Sequence, residues 1–430
     1  MQADTTMNTG ARPSDGAAML RPFDLAFVRA QFPAFSDPAW AGLAHFENAG
    51  GSHVCAQVID RLTRFYTARK IQPYGPAAPS QAGGAEMDEA RARLAAMLGV
   101  ETDELSFGPS STANTYVLAQ AFLRGLEPGA AVVVSDQDHE ANSGPWRRME
   151  YEGIDLREWS VDPATGHLDP ADLAPLLADG RVRLVCFPQC SNVVGEVNPV
   201  AQIVAMAHEA GAFACVDGVS HAPHGLPDVG ALGADVYLFS AYKTWGPHQG
   251  VMVIRRELGA KLPNQAHWFN DRPLYKRFTP AGPDHAQVAA AAGIADYIDA
   301  LHAHHFAPEP DPRRRAAAVA GLMQAQERTL MAPLLDYLAG RPDLRLLGPA
   351  RPEGRAPTLA LVPQADPQAL AAALAARGIA CAASDFYARR PLEAMGIDPA
   401  RGVLRLSFLH YTSPAEIDAL IAALEATRRL

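Results

Sequence analysis

Seven short apolar runs alternate with helix-like segments between about residue 100 and residue 256. The runs lie at 105–108, 131–135, 153–160, 181–189, 213–218, 236–240 and 251–256. Several are continuous stretches of Val, Leu, Phe and Cys, which is typical of strands covered on both faces. Segments with helical periodicity lie between them, such as STANTYVLAQAFLRGL and PVAQIVAMAHEAGA. This alternation predicts an α/β fold with a mostly parallel, seven-stranded sheet.

The pattern changes after one more helix, AGIADYIDALHAHH. The segment 306–315 contains three prolines and predicts a hinge. The helices and strands that follow it indicate a second, smaller α+β domain. We predict a disordered tail over 1–20, a large domain over 21–305 and a small C-terminal domain over 306–430, with the N-terminal segment near the small domain. The stretch HAHHF (302–306) is expected to be a solvated helix end.

Composition narrows the functional classes. The 430 residues are 48% hydrophobic and 20% charged, and the formal net charge is −10. Without a basic stripe the chain is not expected to bind nucleic acid, and no apolar run approaches the roughly 18 residues that span a bilayer. The N-terminus lacks the pattern of a signal peptide, and the five cysteines are scattered, mostly in apolar runs. We therefore expect a cytoplasmic protein with buried thiols and no metal site.

The first candidate chemistry is a carboxylate and an amine at neighbouring strand ends. Asp217 ends the run FACVD, and Lys243 follows the run VYLFS. In a parallel sheet such positions face the ligand crevice at one edge, so both groups are expected close together. A buried ion pair is one interpretation, although it stabilises little after desolvation. The alternative is a pyridoxal 5'-phosphate site, in which the lysine forms a Schiff base and the aspartate keeps the pyridine nitrogen protonated.

Other strand ends carry polar groups that suit the same cofactor. GPSSTAN (108–114) precedes a helix, where hydroxyls and free amides bind a phosphate, although Ser and Thr also serve there as plain helix caps. Ser240 is placed to add another hydroxyl. His139 follows the strand AVVVS and either stacks on the pyridine ring or is a satisfied loop histidine. Asn192 follows RVRLVCFPQ and is placed to donate to the phenolic oxygen of the ring.

These motifs resemble those of class V aminotransferases, a family of fold-type I pyridoxal phosphate enzymes, in their cysteine-desulfurase-like branch. The resemblance starts at FDLAFVRAQFPAF (23–35) and includes ENAGGS, DHEAN, SNVVGEVNPV, VDGVSHAPHG, SAYKTWGPHQG and VLRLSF. It implies that Lys243 is the Schiff-base lysine, with Asp217 at the pyridine nitrogen and His139 on the ring. The other implied contacts are Asn192, Ser111, Thr112 and Ser240 for the cofactor, Arg405 for the substrate carboxylate, and Asn48, Gly50 and Gly51 in the N-terminal active-site loop.

The chain departs from the family pattern around the cofactor at three places. Where the family has Gln or His three residues after the aspartate, Ser220 stands here and His221 follows, so either is a candidate for the ring oxygen. The residue before the lysine is Tyr242 instead of histidine. In 278–286, a segment that in relatives reaches the phosphate of the partner subunit, Gly282 replaces the threonine and leaves a backbone N–H. This segment also implies a homodimer.

The resemblance implies a pyridoxal phosphate-dependent enzyme that acts on an amino acid. Two alternatives stay open, namely a C–S lyase that works by β-elimination and a catalytically silent protein that only binds. A persulfide-forming desulfurase is not expected, because Tyr387 stands where the family has its cysteine and the nearest thiol, Cys381, lies in an apolar run. A nicotinamide oxidoreductase is not expected either, since FGPSST lacks the GxGxxG pattern.

Overall fold

The protein is described by a computed structural model over residues 18–428. The strands in this range are β1 Ala44–His45, β2 Leu105–Gly108, β3 Ala131–Ser135, β4 Asp155–Trp159, β5 Val182–Pro188, β6 Phe213–Asp217, β7 Val236–Ser240, β8 Gly250–Ile254, β9 Leu344–Leu346, β10 Thr358–Pro363, β11 Ile379–Ala380, β12 Ala382–Ser384 and β13 Val403–Ser407. Residues 1–17 of the predicted tail lie outside the described range, and Met19 pairs with Phe306 in an isolated bridge.

Helices connect these strands. They are α1 Leu25–Ala30, α2 Ala56–Ala68, α3 Ala78–Leu98, α4 Ser111–Gly125, α5 Glu140–Arg147, α6 Leu173–Leu177, α7 Val200–Glu209, α8 Val229–Leu232, α9 Arg256–Lys261, α10 Leu274–Arg277, α11 His285–Ala290, α12 Ala292–His305, α13 Pro312–Ala339, α14 Pro367–Ala375, α15 Arg389–Ala394 and α16 Pro414–Ala426.

The large sheet has seven strands in the order β2-β8-β7-β6-β5-β3-β4. The pairs from β7 to β4 are parallel, whereas β8 is antiparallel to both of its neighbours. Alternate residues of one strand enter different cores, because Val133 packs with one cluster and Val132 and Val134 pack with the other. The strands are therefore apolar on both faces, as the continuous runs predicted. The predicted mostly parallel, seven-stranded α/β fold is confirmed.

A second sheet lies in the C-terminal part of the chain. It has four antiparallel strands in the order β12-β13-β10-β9. The N-terminal segment joins this part, because β1 pairs in parallel with β11 and Glu47 forms a bridge with Ser407. The loop after β1 is thereby held beside β13. The domain boundaries at 21–305 and 306–430 stay a prediction.

The helix α13 connects the two parts. Its first half buries Val319 and Met323 in the core of the large sheet, and its second half buries Leu330 and Leu334 against the second sheet. The predicted hinge over 306–315 is too long, since α13 already begins at Pro312. Proline is favoured in a first helical turn, and the Asp311 side chain caps this helix by accepting from the N–H of Arg313.

The stretch HAHHF is not the solvated helix end that the sequence suggested. His302 and His305 are 2% and 0% exposed, because α12 packs against α2, α3 and α13. His305 accepts a hydrogen bond from the N–H of Asp24 at 3.1 Å, which holds the N-terminal segment on this helix. Within residues 18–428, no cluster of His, Cys, Asp or Glu side chains is suited to hold a metal ion. None of the helices in that range is long and apolar enough to cross a membrane.

Candidate active site

Lys243 and Asp217 lie at the carboxyl edge of the large sheet. β6 ends at Asp217 and β7 ends at Ser240, and the two strands pair in parallel with Asp217 beside Leu238. A single 3-10 turn after β7 then carries Lys243 over this edge. Asp217 is 5% exposed and Lys243 is 8% exposed, so both ionisable groups are buried in one cavity.

Two adjoining cavities occupy this edge, and most of the sequence-predicted residues line them. The inner cavity, of about 240 Å³, is lined by Ser110, Ser111, Thr112, Asp138, His139, Ala141, Cys190, Asn192, Asp217, Val219, Ser220, Ser240, Tyr242, Lys243 and His248. The outer cavity, of about 470 Å³, is lined by Glu47, Ala49, Gly50, Thr112, Tyr116, His139, Glu140, Ala141, Asn192, Tyr242, Lys243, Ser384, Phe386, Tyr387 and Arg405. Lys243 borders both, so a group bonded to its amine can contact either cavity.

Burial sets the protonation of the lysine and the aspartate. Burial lowers the pKa of Lys243 to about 8, and the nearby charge of Arg405 acts in the same direction. Burial also raises the pKa of Asp217 to about 6, against the hydrogen bond from the N–H of Val219 and the charge of Lys243. A neutral amine is therefore accessible near neutral pH, which is what a lysine nucleophile requires.

The start of α4 forms the polar end of the inner cavity. Ser110 is the helix cap, because its side chain accepts from the N–H of Ala113 at 3.1 Å. Ser111 is not used in this way, and its hydroxyl lies 2.9 Å from the hydroxyl of Ser240. Gly250, which starts β8, lets the backbone at the start of α4 lie close to it, since a Cβ on Gly250 would lie 2.6 Å from the backbone nitrogen of Ser111. Free amides and hydroxyls at a helix start suit a phosphate.

His139 stands between the two cavities. It caps α5 by accepting from the N–H of Ala141 at Nδ1, 3.0 Å away, so the neutral ring carries its proton on Nε2. Burial, together with the charges of Lys243 and Arg405, lowers the pKa of His139 to about 3. The ring is therefore neutral at physiological pH.

Asn192 lines both the inner and the outer cavity. Its Nδ2 donates to the carbonyl of Phe386 at 3.0 Å, whereas its buried Oδ1 has no partner among the described residues. One amide hydrogen is thus already used by the protein, and the other is available to a ligand.

Arg405 is paired with a residue that sequence reasoning did not identify. It projects from β13 and is 3% exposed, and its Nη2 lies 2.8 Å from Oε1 of Glu47. Burial lowers the pKa of Arg405, while the carboxylate of Glu47 opposes this shift. The Phe386 ring covers the guanidinium at 3.8 Å. Glu47 precedes the predicted active-site loop directly, but the two partners are 358 positions apart and no local pattern reveals the contact.

Fewer residues of the predicted N-terminal active-site loop line the two cavities than the resemblance implied. The side chain of Asn48 donates to the carbonyls of His45 and Ser407 and accepts from the hydroxyl of Tyr411, so it braces the loop and lines neither cavity. Gly50 lines the outer cavity. Gly51 lies beside Tyr242, whose ring a Cβ would meet at 3.7 Å. The substrate contact implied for Asn48 therefore does not fit its side chain, because both amide N–H groups donate within the protein and the side chain lines neither cavity.

The structure separates the two candidates after Asp217. Ser220 lines the inner cavity, whereas His221 borders another cavity together with His224 and Glu327. The chain turns after β6, where the N–H of His221 donates to the carbonyl of Gly218, and Ser220 and His221 border different cavities. His221 therefore does not fit the contact with the ring oxygen. Gly282 lines neither the inner nor the outer cavity of its own chain, and its implied role at the phosphate of a partner subunit stays a prediction.

A loop from the C-terminal part closes the outer cavity. Phe386 and Tyr387 both have positive φ angles, 52° and 54°, which costs energy for side chains of this size. The strained backbone is held because Asn192 donates to Phe386 and the N–H of Glu140 donates to the carbonyl of Tyr387 at 2.8 Å. As a result the Tyr387 ring is 72% exposed at the mouth, 5.6 Å from the His139 ring.

Two further residues bear on the chemistry. Cys381 packs against the C-terminal core and lines neither cavity, and burial raises its pKa to about 12. Asp138, which the sequence reasoning passed over although it precedes His139, lines the inner cavity. Burial and the neighbouring charge of Asp217 raise the pKa of Asp138 well above its usual value.

This fold and cavity define a fold-type I pyridoxal phosphate enzyme, and comparison with known proteins agrees. The family model "Aminotransferase class-V" matches residues 44–268 and 318–420, and the chain belongs to this family. It is 32% identical to a cysteine desulfurase of Dickeya dadantii over 76% of this chain and 79% of the relative. It is 29% identical to "Aminotransferase-like protein FGM3" of Gibberella zeae over 94% of this chain and 98% of the relative.

Solved structures show the same relationship. The cysteine desulfurase CsdA of Escherichia coli superposes with a TM-score of 0.77 and 26% identity, covering 94% of this chain and 98% of that one. A cysteine desulfurase of Thermococcus onnurineus has a TM-score of 0.79 at 22% identity, which speaks for the fold. The cysteine-desulfurase-like branch named from the sequence motifs is confirmed.

The chain is thus a pyridoxal phosphate-dependent enzyme, and its own residues fit that cofactor. The carboxylate of Asp217 accepts one described hydrogen bond, at Oδ1 from the N–H of Val219, which leaves its other oxygen for a protonated ring nitrogen. Ser111 and Ser240 supply hydroxyls where Gly250 clears space beside a helix start. The cofactor would supply an electron-accepting ring to the chemistry of this site.

Proposed function

We propose that this enzyme transforms an amino acid at a pyridoxal phosphate that Lys243 holds as a Schiff base, with transamination as the reaction. The observation that carries the proposal is the placement of a buried amine of lowered pKa and a buried carboxylate in one cavity at the sheet edge. Asp217 would hold the proton of the ring nitrogen. His139, neutral and capped through Nδ1, would lie against the ring face.

The remaining residues would bind the phosphate and the ring oxygen of the cofactor, and the carboxylate of the substrate. Ser111, Thr112 and Ser240 would bind the phosphate, and Asn192 would donate its free N–H to the ring's phenolic oxygen. Arg405 would bind the substrate α-carboxylate through guanidinium N–H groups. The substrate amine would take the place of the Lys243 amine on the cofactor, which would leave Lys243 as a free amine. With its amine free, Lys243 would be placed to move a proton at the substrate Cα, because it borders both cavities.

The test of this proposal is spectroscopic. The purified protein should show the visible absorbance band of a lysine-bound cofactor, and hydroxylamine should remove it. Lys243→Ala should lack the band while remaining folded by circular dichroism, and Thr244→Ala, in the neighbouring position, serves as the matched control. A band of unchanged intensity in Lys243→Ala would refute the assignment.

A C–S lyase that eliminates the sulfur is the second candidate. The position of Tyr387 at the cavity mouth and of Cys381 in the C-terminal core favours a route without a protein thiol. An amino-acid panel separates the two reactions by mass spectrometry of the products. Amination of an added 2-oxo acid identifies a transaminase, whereas release of pyruvate and ammonia from L-cysteine identifies a lyase. A protein that binds the cofactor and turns over nothing in the panel would be the silent binding protein.

We further propose a homodimer located in the cytoplasm. Trp268 and Phe269 are 86% and 63% exposed, close in sequence to the segment 278–286 that in relatives reaches the partner subunit. Large exposed aromatic side chains are typical of an interface. Sedimentation at micromolar concentration should give a dimer, and a fully loaded, active monomer would contradict the proposal. Cell fractionation tests the location.

A further inference from the structure

The outer cavity has few positive charges. Among the described residues that line it, the cationic side chains are Lys243 and Arg405. The amine of Lys243 is assigned to the cofactor in the proposed function. The His139 ring is neutral, since its pKa is lowered to about 3. Arg405 is therefore the one permanent cation of this lining that a substrate anion can contact.

Glu47 already forms a salt bridge with this guanidinium. Its Oε1 accepts from Nη2 of Arg405 at 2.8 Å, and Nη1 donates to the carbonyl of Asn192 at 3.3 Å. An arginine has five N–H groups, and two of those of Arg405 make these bonds. The N–H on Nε has no partner among the described residues, so the guanidinium still has room for one carboxylate. The charge of Arg405 is balanced before any substrate arrives.

The pair is built into the fold. The backbone of Glu47 bridges Ser407, and the N–H of Asn48 donates to the carbonyl of Ser407 at 3.3 Å, two residues from Arg405 along β13. The space for the carboxylate exists because residue 50 is a glycine. A Cβ on Gly50 would come 2.6 Å from Oε1 of Glu47.

The rest of the outer cavity does not favour a second anion. Glu140 adds another carboxylate to the lining, and its partner Arg390, 3.5 Å away, does not line the cavity. The tyrosines Tyr116, Tyr242 and Tyr387 form much of the remaining wall. Aromatic rings accept apolar and cationic groups, whereas a negative group meets the negative ring face and two carboxylates.

We propose that this enzyme selects amino acids whose side chain is neutral or cationic and rejects those with a second carboxylate, and that Glu47 is the residue that sets this selectivity. The inference rests on the proposed function, because it takes Arg405 as the site of the α-carboxylate. The α-carboxylate uses the free edge of Arg405. A side-chain carboxylate would find no unpaired cation and would be repelled by Glu47.

A matched series of five-carbon probes tests this on the cofactor-loaded enzyme. Pentanoate, glutarate and 5-(trimethylammonio)pentanoate share a five-carbon chain and a terminal carboxylate, and they end in a methyl, a second carboxylate and a quaternary ammonium group respectively. None has an amine that reacts with the cofactor. Calorimetry should show that glutarate binds at least about tenfold more weakly than the other two, the size expected for one like charge at this range. Equal affinity for glutarate and pentanoate would overturn the proposal.

Variants then test the part played by Glu47. Glu47→Gln should tighten binding of all three probes, and that of glutarate by at least about tenfold, because a negative charge beside the anion site is removed. If Glu47 only held Arg405 in place, the same change would weaken binding, and that result would overturn the assignment. Glu140→Gln is the matched control, since it removes a carboxylate of the same cavity that does not contact Arg405. Its effect should be smaller, and an equal effect would contradict the special role of Glu47.

One more variant separates this inference from the proposed function. Arg405→Gln should lose pentanoate binding. If it does, and glutarate still binds the wild type as tightly as pentanoate, the charge selectivity alone is wrong. If pentanoate binds Arg405→Gln undiminished, the carboxylate site of the proposed function is wrong and the selectivity inferred from it falls as well.

Discussion

The pH dependence of cofactor capture provides a direct test of the buried lysine. A neutral amine must attack the cofactor aldehyde, and burial lowers the pKa of Lys243 from 10.5 to about 8. At pH 7 about one amine in ten is then neutral, against roughly one in three thousand for an unshifted lysine. The lowered pKa corresponds to roughly 3 kcal/mol of preference for the neutral form.

The perturbation is Arg405→Gln. Burial is the largest cause of the lowered pKa of Lys243, and the positive charge of Arg405 is the next. Removing that charge should raise the pKa of Lys243, so capture at neutral pH becomes slower while the rate at high pH is kept. Arg390→Gln is the control, because Arg390 lies near the cavity mouth but lines neither cavity.

The assay is stopped-flow absorbance on protein freed of its cofactor, with the growth of the visible band followed across pH. The wild-type capture rate should rise with pH and reach half its maximum near pH 8. In Arg405→Gln the midpoint should move to higher pH. A wild-type midpoint near that of free lysine would refute the desolvation argument, and an unmoved midpoint in Arg405→Gln would refute the electrostatic one.

Three other changes have defined expectations. Asp217→Asn should fold normally but lose most turnover in product assays, because the ring nitrogen loses its charged partner; near-normal turnover would make Asp217 merely structural. Gly250→Ala should lower the thermal midpoint and weaken cofactor retention, since the new Cβ would lie 2.4 Å from the carbonyl carbon of Ser110 and such overpacking costs roughly 1–3 kcal/mol; an unchanged midpoint would contradict this. Cys381→Ala should keep its activity, and mass analysis after incubation with L-cysteine should find no persulfide on the wild-type protein. A persulfide on Cys381 would contradict the expectation that no protein thiol takes part.

The strands of the large sheet were determined by local sequence. The run AVVVS is β3 at its own bounds, and LSFG is β2, because a strand covered on both faces needs apolar residues at every position. Since parallel strands end at one edge, residues that end or follow the runs, among them Asp217 and Lys243, could be predicted from the sequence to meet there. The motifs around them then indicated the cofactor.

The tertiary structure decided how these groups are partnered. Whether Ser220 or His221 faces the inner cavity depends on the turn after β6. The hydrogen bonds of the Asn48 amide depend on Ser407 and Tyr411, which are far away in sequence. The pair between Glu47 and Arg405 joins residues 358 positions apart through the pairing of β1 with β11 and the bridge to β13. Such contacts arise from chain topology, and no local periodicity or spacing encodes them. Local sequence thus set which elements form and which residues end them, whereas the charge environment of the cavity follows from how the two ends of the chain come together.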